Sequence, residues 1–320
     1  YKRQNKTCEL LAEAAAIPQE DIIIASTGVI GLPLSIEPFQ RNMPELVAGL
    51  GNTAVHADKA YQGIMTTDTR KKEIALEFDL QGKVCRIGAM TKGSGMIHPQ
   101  MATMLCFITT DVAITPELLN RALKESVEDT FNMVSIDGDT STNDMVSIMA
   151  NGFAGNPMIS EEGRDYQTFV QALNYVNTYL AKEMARDGEG ATKLLICHTV
   201  HAKTKQTAKT TAKAVICSSL LKAAMFGADA NWGRVLCAVG YSGADVDIAR
   251  VDVSFSSAQG SILVCQGGAG VAFDEETAKK ILLENEIQIE INLNDGKEEA
   301  FAYGCDLTYD YVKINGDYRS

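Results

Sequence analysis

Apolar and polar residues alternate through 72–80 (KEIALEFDL) and 83–90 (KVCRIGAM) around Gln81-Gly82, a pattern that predicts a β-hairpin. Strand patterns recur at 104–109, 133–136 and 191–202, and DIIIA at 21–25 reads as a short buried strand. Residues 64–68 read as a strand end. Apolar positions spaced three and four apart predict helices over 6–16, 44–50, 53–62, 116–131, 160–186 and 207–221. The last third is β-rich, with strands expected at 250–257, 261–266, 286–293 and 298–307, a helix at 275–284 and a hairpin turn at Asp295-Gly296. No tandem repeat or low-complexity linker divides the chain, and a soft boundary near Gly190 separates two regions, 1–190 and 191–320.

Composition narrows the function class. A chain of 320 residues is long enough to bury most of its apolar surface. Its formal net charge of -12 argues against a nucleic-acid or anionic-membrane surface, both of which need basic patches, and favours small-molecule chemistry. No apolar run approaches the roughly 18 to 20 residues of a membrane span. The eight cysteines form no C-x-x-C pair and lie mostly in apolar segments, as reduced core thiols do. Four histidines without an HExxH give no zinc motif, and His198 and His201 face opposite sides of a strand. The acidic loop 137–144 (DGDTSTND) departs from a calcium loop, because Thr142 stands where Gly is needed and Ile148 where Glu is needed. It reads as structural, with Asp139 and Asn143 bonding neighbouring loops. The basic run 201–213 (HAKTKQTAKTTAK) reads as a solvated helix face, and Trp232 as a packing anchor.

Four short segments carry candidate chemistry. Lys92-Gly93-Ser94-Gly95 either brings backbone N–H groups and a cation to an anion or is a plain turn, and it lacks the GxxxxGK[ST] spacing of a phosphate loop. STGVIG at 26–31 is a capped turn or a set of exposed amides. MTTD at 65–68 combines β-propensity with a cap, and DGEGATK at 187–193 sets Glu189 in the turn that ends a helix.

The run GSGMIHPQMATML (93–105) closely resembles the autocleavage segment of the ornithine acetyltransferase, or glutamate N-acetyltransferase, family of arginine biosynthesis. The likeness extends from about residue 26 to 320. It implies cleavage between Ala102 and Thr103, with Thr103 as the nucleophile, and an oxyanion hole at Thr27 and Gly28. It also implies substrate contacts at Thr66, Glu189, Asn315 and Ser320, the last two because the family's C-terminus returns to the active site. Substrate charges then assign Lys92 to a carboxylate and Glu189 to an ammonium. FGADANWGR (226–234) departs from the family run in having Ala230 where Pro is usual, which removes a local φ restraint. An N-terminal part of the family's precursor is expected before Tyr1.

A free N-terminal threonine carries its own base, an α-amine of ordinary pKa about 7.7–8.0, so cleavage would precede activity. The resemblance implies a ping-pong cycle in which N-acetylornithine acetylates Thr103 and glutamate takes the acetyl group. It also implies no cofactor, with acetyl-CoA left open as a second donor, and an α2β2 assembly of cleaved chains. The implied fold is α/β: a layered αββα sandwich like that of self-processing aminopeptidases, with a smaller α+β C-terminal domain. The expected compartment is the cytoplasm, or the mitochondrial matrix in a eukaryotic host. Two alternatives stand beside this reading. One is a self-processing aminopeptidase or amidase that passes its acyl group to water and typically carries Ser as nucleophile; the other is an inactive α/β remnant.

Overall fold

The computed structural model describes residues 2–29, 31–98 and 104–317. The chain divides into two compact units, one built on residues 1–65 and one on residues 66–318. The first is helical, with α1 (Lys2–Ala15), α2 (Glu37–Ala48) and α3 (Ala54–Ile64), and α1 packs on α2. The DIIIA run forms no strand. Residues 22–29 carry no regular secondary structure, Ile23 is largely exposed, and among the described residues no strand pairs with them. Helix α2 starts earlier than Pro44, because Pro38 occupies its first turn, where a missing N–H costs nothing.

The second unit opens with the expected hairpin, β1 (Lys72–Leu80) and β2 (Lys83–Lys92). Its turn residues Gln81 and Gly82 both have positive φ, 54° and 79°, as a two-residue hairpin loop requires. Then come β3 (Leu105–Thr110), α4 (Pro116–Asp129), β4 (Val134–Ser135), β5 (Met145–Ala150) and α5 (Arg164–Arg186). They are followed by β6 (Leu194–Ala202), α6 (Lys205–Cys217), α7 (Ser219–Phe226), α8 (Trp232–Tyr241), β7 (Asp252–Ser257) and β8 (Gly260–Gln266). The chain continues through β9 (Ala269–Gly270), α9 (Glu275–Leu282), β10 (Glu286–Asn292), β11 (Glu298–Cys305) and α10 (Tyr309–Asp317). The predicted single helix 207–221 is two, because Ser218 turns the chain and caps α7 with its side chain.

Two sheets result: a four-stranded one in the order β1-β2-β3-β5 and a seven-stranded one in the order β4-β11-β6-β10-β7-β8-β9. Helix α5 is buried on two sides, through residues such as Phe169, Leu173, Val176, Leu180 and Met184, and packs on β1 and β2 as well as on β4, β6 and β11. The chain is therefore mixed α/β, as expected, with a helix layer between its two sheets and one core joining them. Along β6, Leu194 and Ile196 point into this core while Leu195 and Cys197 point into a second one, closed by α6, α7, α8 and α9. Leu180 and Ala185 share the first core with Leu194 and Ile196, so packing runs continuously past Gly190.

Five of the eight cysteines are buried, and burial pushes the Cys106 thiol up to about 12. The basic helix face is not simply solvated. Lys205 and Lys209 both bond Asp129, and the largely buried Lys213 donates to the carbonyls of Asn132 and Val134 at 2.8 and 2.6 Å.

Candidate active site

The four-stranded sheet sets the geometry. Lys92 on β2 lies beside Leu105 on β3, and Leu105 lies beside Met145 on β5, so the next rank beyond the strand ends is Gly93, Met104 and Asp144. Met104 is fixed through both backbone groups: its N–H donates to Asp144 Oδ1 at 2.9 Å and its carbonyl accepts from Met145 N–H at 3.0 Å. Burial raises the Asp144 carboxyl to about 6, against the pull of the Met104 N–H and of Lys92.

Residues 93–98 are held from the other direction. Gly93 N–H donates to Asp68 Oδ1 at 2.7 Å, the Ser94 carbonyl accepts from Glu189 N–H at 2.8 Å, and the Thr67 and Ser94 hydroxyls share a bond of 2.6 Å. The N–H groups of Met96 and Ile97 fork onto Asp137 at 2.6 and 2.9 Å, and Thr140 Oγ1 donates to the His98 carbonyl at 2.9 Å. The acidic loop 137–144 thus grips the chain at Met96 to His98 with one end and at Met104 with the other. Its working residues are Asp137, Thr140 and Asp144. Asp139 donates its N–H to Asp137, and Asn143 accepts from the Ser141 hydroxyl.

Lys92 is 1% exposed, and its ammonium donates to Thr66 Oγ1 at 3.4 Å. Burial lowers its pKa, opposed by Asp68 and Asp144 and aided by Lys72. Beneath it lies a buried ionic cluster in which Lys72 Nζ donates to Asp68 Oδ1 and to Asp187 Oδ2, each at 2.5 Å. Burial disfavours the Asp68 charge, but Lys72 and the N–H groups of Gly93 and Thr66 outweigh it and hold this carboxyl below the usual range. Asp187 also accepts from the N–H and hydroxyl of Thr69. The stretches MTTD and DGEGATK, far apart in sequence, are tied together here.

Glu189 follows α5 in a turn that only glycines allow. Gly190 has φ 70°, and a Cβ there would lie 2.5 Å from Tyr311 N, because the first turn of α10 rests on it. Thr308 Oγ1 donates to the Gly190 carbonyl at 2.7 Å and fastens that helix. The Glu189 carboxylate lies over Gly95, where an added Cβ would come within 2.4 Å of Cδ, and it accepts from Asn315 Nδ2 at 2.9 Å. The tail is thus a helix anchored at the turn. Burial raises the Tyr311 phenol to about 12, reinforced by Asp137 and Glu189.

Of the residues singled out by sequence, the structure gathers Thr66, Lys92, Glu189 and Asn315 around residues 93–96 within the second unit. Thr27, half-buried, and Gly28, exposed, stand in a stretch of the first unit without regular secondary structure. Ala102, Thr103 and Ser320 lie outside the described residues. Sequence reading passed over Asp68, Lys72, Asp137, Asp144 and Asp187, although four of the five belong to motifs it had marked. Among the described residues no group of three or more His, Cys, Asp or Glu side chains is placed to hold a metal ion. No helix among them is long and apolar enough to cross a membrane.

Comparison with known proteins supplies the family. The ArgJ family model matches residues 1–320. The arginine biosynthesis bifunctional protein ArgJ 1 of Clostridium acetobutylicum is 52% identical over 320 residues, covering 100% of this chain and 78% of that protein. The arginine biosynthesis bifunctional protein ArgJ of Caldanaerobacter subterraneus subsp. tengcongensis is 48% identical over 310 residues, 97% of this chain and 76% of its own length. A crystal structure of the arginine biosynthesis bifunctional protein argJ from Bacillus halodurans is 44% identical with a TM-score of 0.64, covering 66% of this chain and 98% of the solved one. Together with the motif residues gathered around Gly95, these matches show that the chain belongs to the ArgJ family.

Proposed function

We propose that this chain is a self-cleaving glutamate N-acetyltransferase of arginine biosynthesis, which moves an acetyl group from N-acetylornithine to glutamate through an acetyl-threonine at Thr103. The observation that carries the reading is the fixation of the backbone on both flanks of residues 99–103, by Asp137 and Thr140 before them and Asp144 after them, next to the buried cation Lys92. Bond cleavage within a chain needs its reacting groups held in one geometry, and such positioning lowers a barrier without any cofactor.

In maturation the Thr103 hydroxyl adds to the Ala102 carbonyl carbon, the C–N bond breaks, and the nitrogen takes up the proton. Water then cleaves the ester and leaves residue 103 with a free α-amine. That amine serves as the base when the hydroxyl next attacks the acetyl group of the donor. Thr27 and Gly28 supply the oxyanion donors of both steps, each such donor typically worth about 2.7–4 kcal/mol. Lys92 receives a substrate carboxylate, the Glu189 carboxylate receives an ammonium, and Thr66, Asn315 and Ser320 complete the set with neutral hydrogen bonds. One buried cation and one carboxylate suit a zwitterionic amino acid.

The cleaved chains pair as α2β2, act in the cytoplasm, and accept acetyl-CoA as a second donor. The test is a transfer assay run separately with N-acetylornithine and with acetyl-CoA, following N-acetylglutamate. The reading expects N-acetylornithine to support transfer with no acetyl-CoA present, and acetyl-CoA to support it as a second donor. Release of acetate without N-acetylglutamate would overturn it in favour of an amidase.

A further inference from the structure

Asp144 enters the reading above only as a holder of the backbone, yet it binds the chain at the residue next to the nucleophile. The nitrogen it binds, Met104 N, is the amide nitrogen of the bond to residue 103, so this contact holds the backbone at the residue that follows the nucleophile. The contact is stiff. Met145, the next residue after Asp144, returns a hydrogen bond from its N–H to the Met104 carbonyl, so two consecutive residues at the head of β5 clasp both backbone groups of one residue at the head of β3.

Burial keeps Asp144 from being an ordinary surface acid, and the charged group facing it is the Lys92 ammonium at the end of β2, which is itself near Asp68 and Lys72. No ion pair within 4.0 Å joins Lys92 to Asp144, so the carboxylate is bound to the chain rather than neutralised by direct contact.

We propose that Asp144 is the positioning residue for both self-cleavage and acetyl transfer, aligning residue 103 through the Met104 N–H and setting, by its charge, the field around Lys92. This rests on the reading of Thr103 as the nucleophile. In its neutral form the carboxyl keeps an acceptor oxygen for Met104 but no longer supports the Lys92 ammonium. The rates of both reactions therefore rise with pH through about 6, where Asp144 gains its charge.

The experiment compares the wild type with Asp144→Asn, which keeps an acceptor but cannot ionise, and Asp144→Ala, which has none. Cleavage is followed by electrophoresis and transfer by kcat, both from pH 5 to 8, with thermal melting as a folding check. The expected result is a loss of at least about 100-fold in both rates for Asp144→Ala. For Asp144→Asn the expectation is a loss nearer 10-fold at pH 7.5, with the inflection near pH 6 abolished. Wild-type rates in Asp144→Ala, or an unchanged inflection in Asp144→Asn, would overturn the proposal. Should Asp144→Ala not fold, the Asp144→Asn profile decides alone. A wild type that stays uncut at Thr103 instead overturns the nucleophile reading itself, and the two failures are told apart by that lane.

Discussion

Asn315 donates its side-chain amide to Glu189 Oε2 at 2.9 Å across 126 positions of sequence. The contact joins the C-terminal helix to the turn that ends α5 and orients the only carboxylate directly over Gly95 among the described residues. A hydrogen bond to a charged group is worth about 1.5–3 kcal/mol, or roughly 10- to 100-fold in an equilibrium. Asn315→Ala is therefore expected to lower kcat/KM by about that range, chiefly through KM, and to leave self-cleavage unchanged. Steady-state kinetics with both amino-acid substrates check this, and an unaltered KM would remove Asn315 from the substrate site.

Gly95 has no room for a side chain while Glu189 keeps its position, since a Cβ would sit 2.4 Å from the carboxylate carbon. A glutamate side chain can swing aside, so Gly95→Ala should cost little stability. It should displace the carboxylate and reduce transfer by more than about tenfold. Melting temperature and kcat/KM measured together test the pairing: a large stability loss with normal kinetics per folded molecule would contradict it.

Lys72 bonds both Asp68 and Asp187, and its side chain is fully buried. Removing one partner of a buried ion cluster leaves uncompensated charge and typically costs about 3–5 kcal/mol. Lys72→Met should lower the unfolding free energy, measured by denaturant titration, by that amount. A shift below about 1 kcal/mol would mean the cluster is solvated in solution.

The same cluster predicts the acid limb of the stability curve. Despite burial, Lys72 and two backbone N–H groups hold the Asp68 carboxyl below its ordinary value of 3.8, so below that pH the native state binds fewer protons than the unfolded chain. Stability from this group is present above the ordinary value and is lost as pH falls through the depressed one. Asp68→Asn should flatten the decline below about pH 4, measured by urea unfolding at stepped pH.

Much of the second unit was legible in sequence because its elements carry strong local signals. The hairpin 72–92 has alternating burial and a Gly turn, and the strands β7 and β10 show the same period. Strand β5 escaped because MVSIMA follows a polar loop with too few alternations to stand out, and α8 because its start is an Asn231 cap inside a run read for its motif. DIIIA fails as a strand for the opposite reason: an apolar run predicts burial, but a ladder needs a neighbour, and sequence does not say where that neighbour is. At the site, the motifs were visible, and with them Thr66, Lys92, Glu189 and Asn315, but the carboxylates that hold the loops were not. Within MTTD, Asp68 ties the turn to Lys72 and Gly93, and within DGDTSTND, Asp137 and Asp144 hold the chain on either side. Which carboxylate of an acidic loop turns inward depends on packing between segments some forty residues apart.

The central claim is that one peptide bond in this chain breaks to create the nucleophile. Its most direct measurement is the intact mass of the purified full-length protein beside its Thr103→Ala variant, with the N-terminus of any new piece sequenced. The account predicts a wild type cut before Thr103, giving a piece that begins at Thr103, and a variant that stays whole and inactive. A wild type that remains one uncut polypeptide while transferring acetyl at full rate would contradict it.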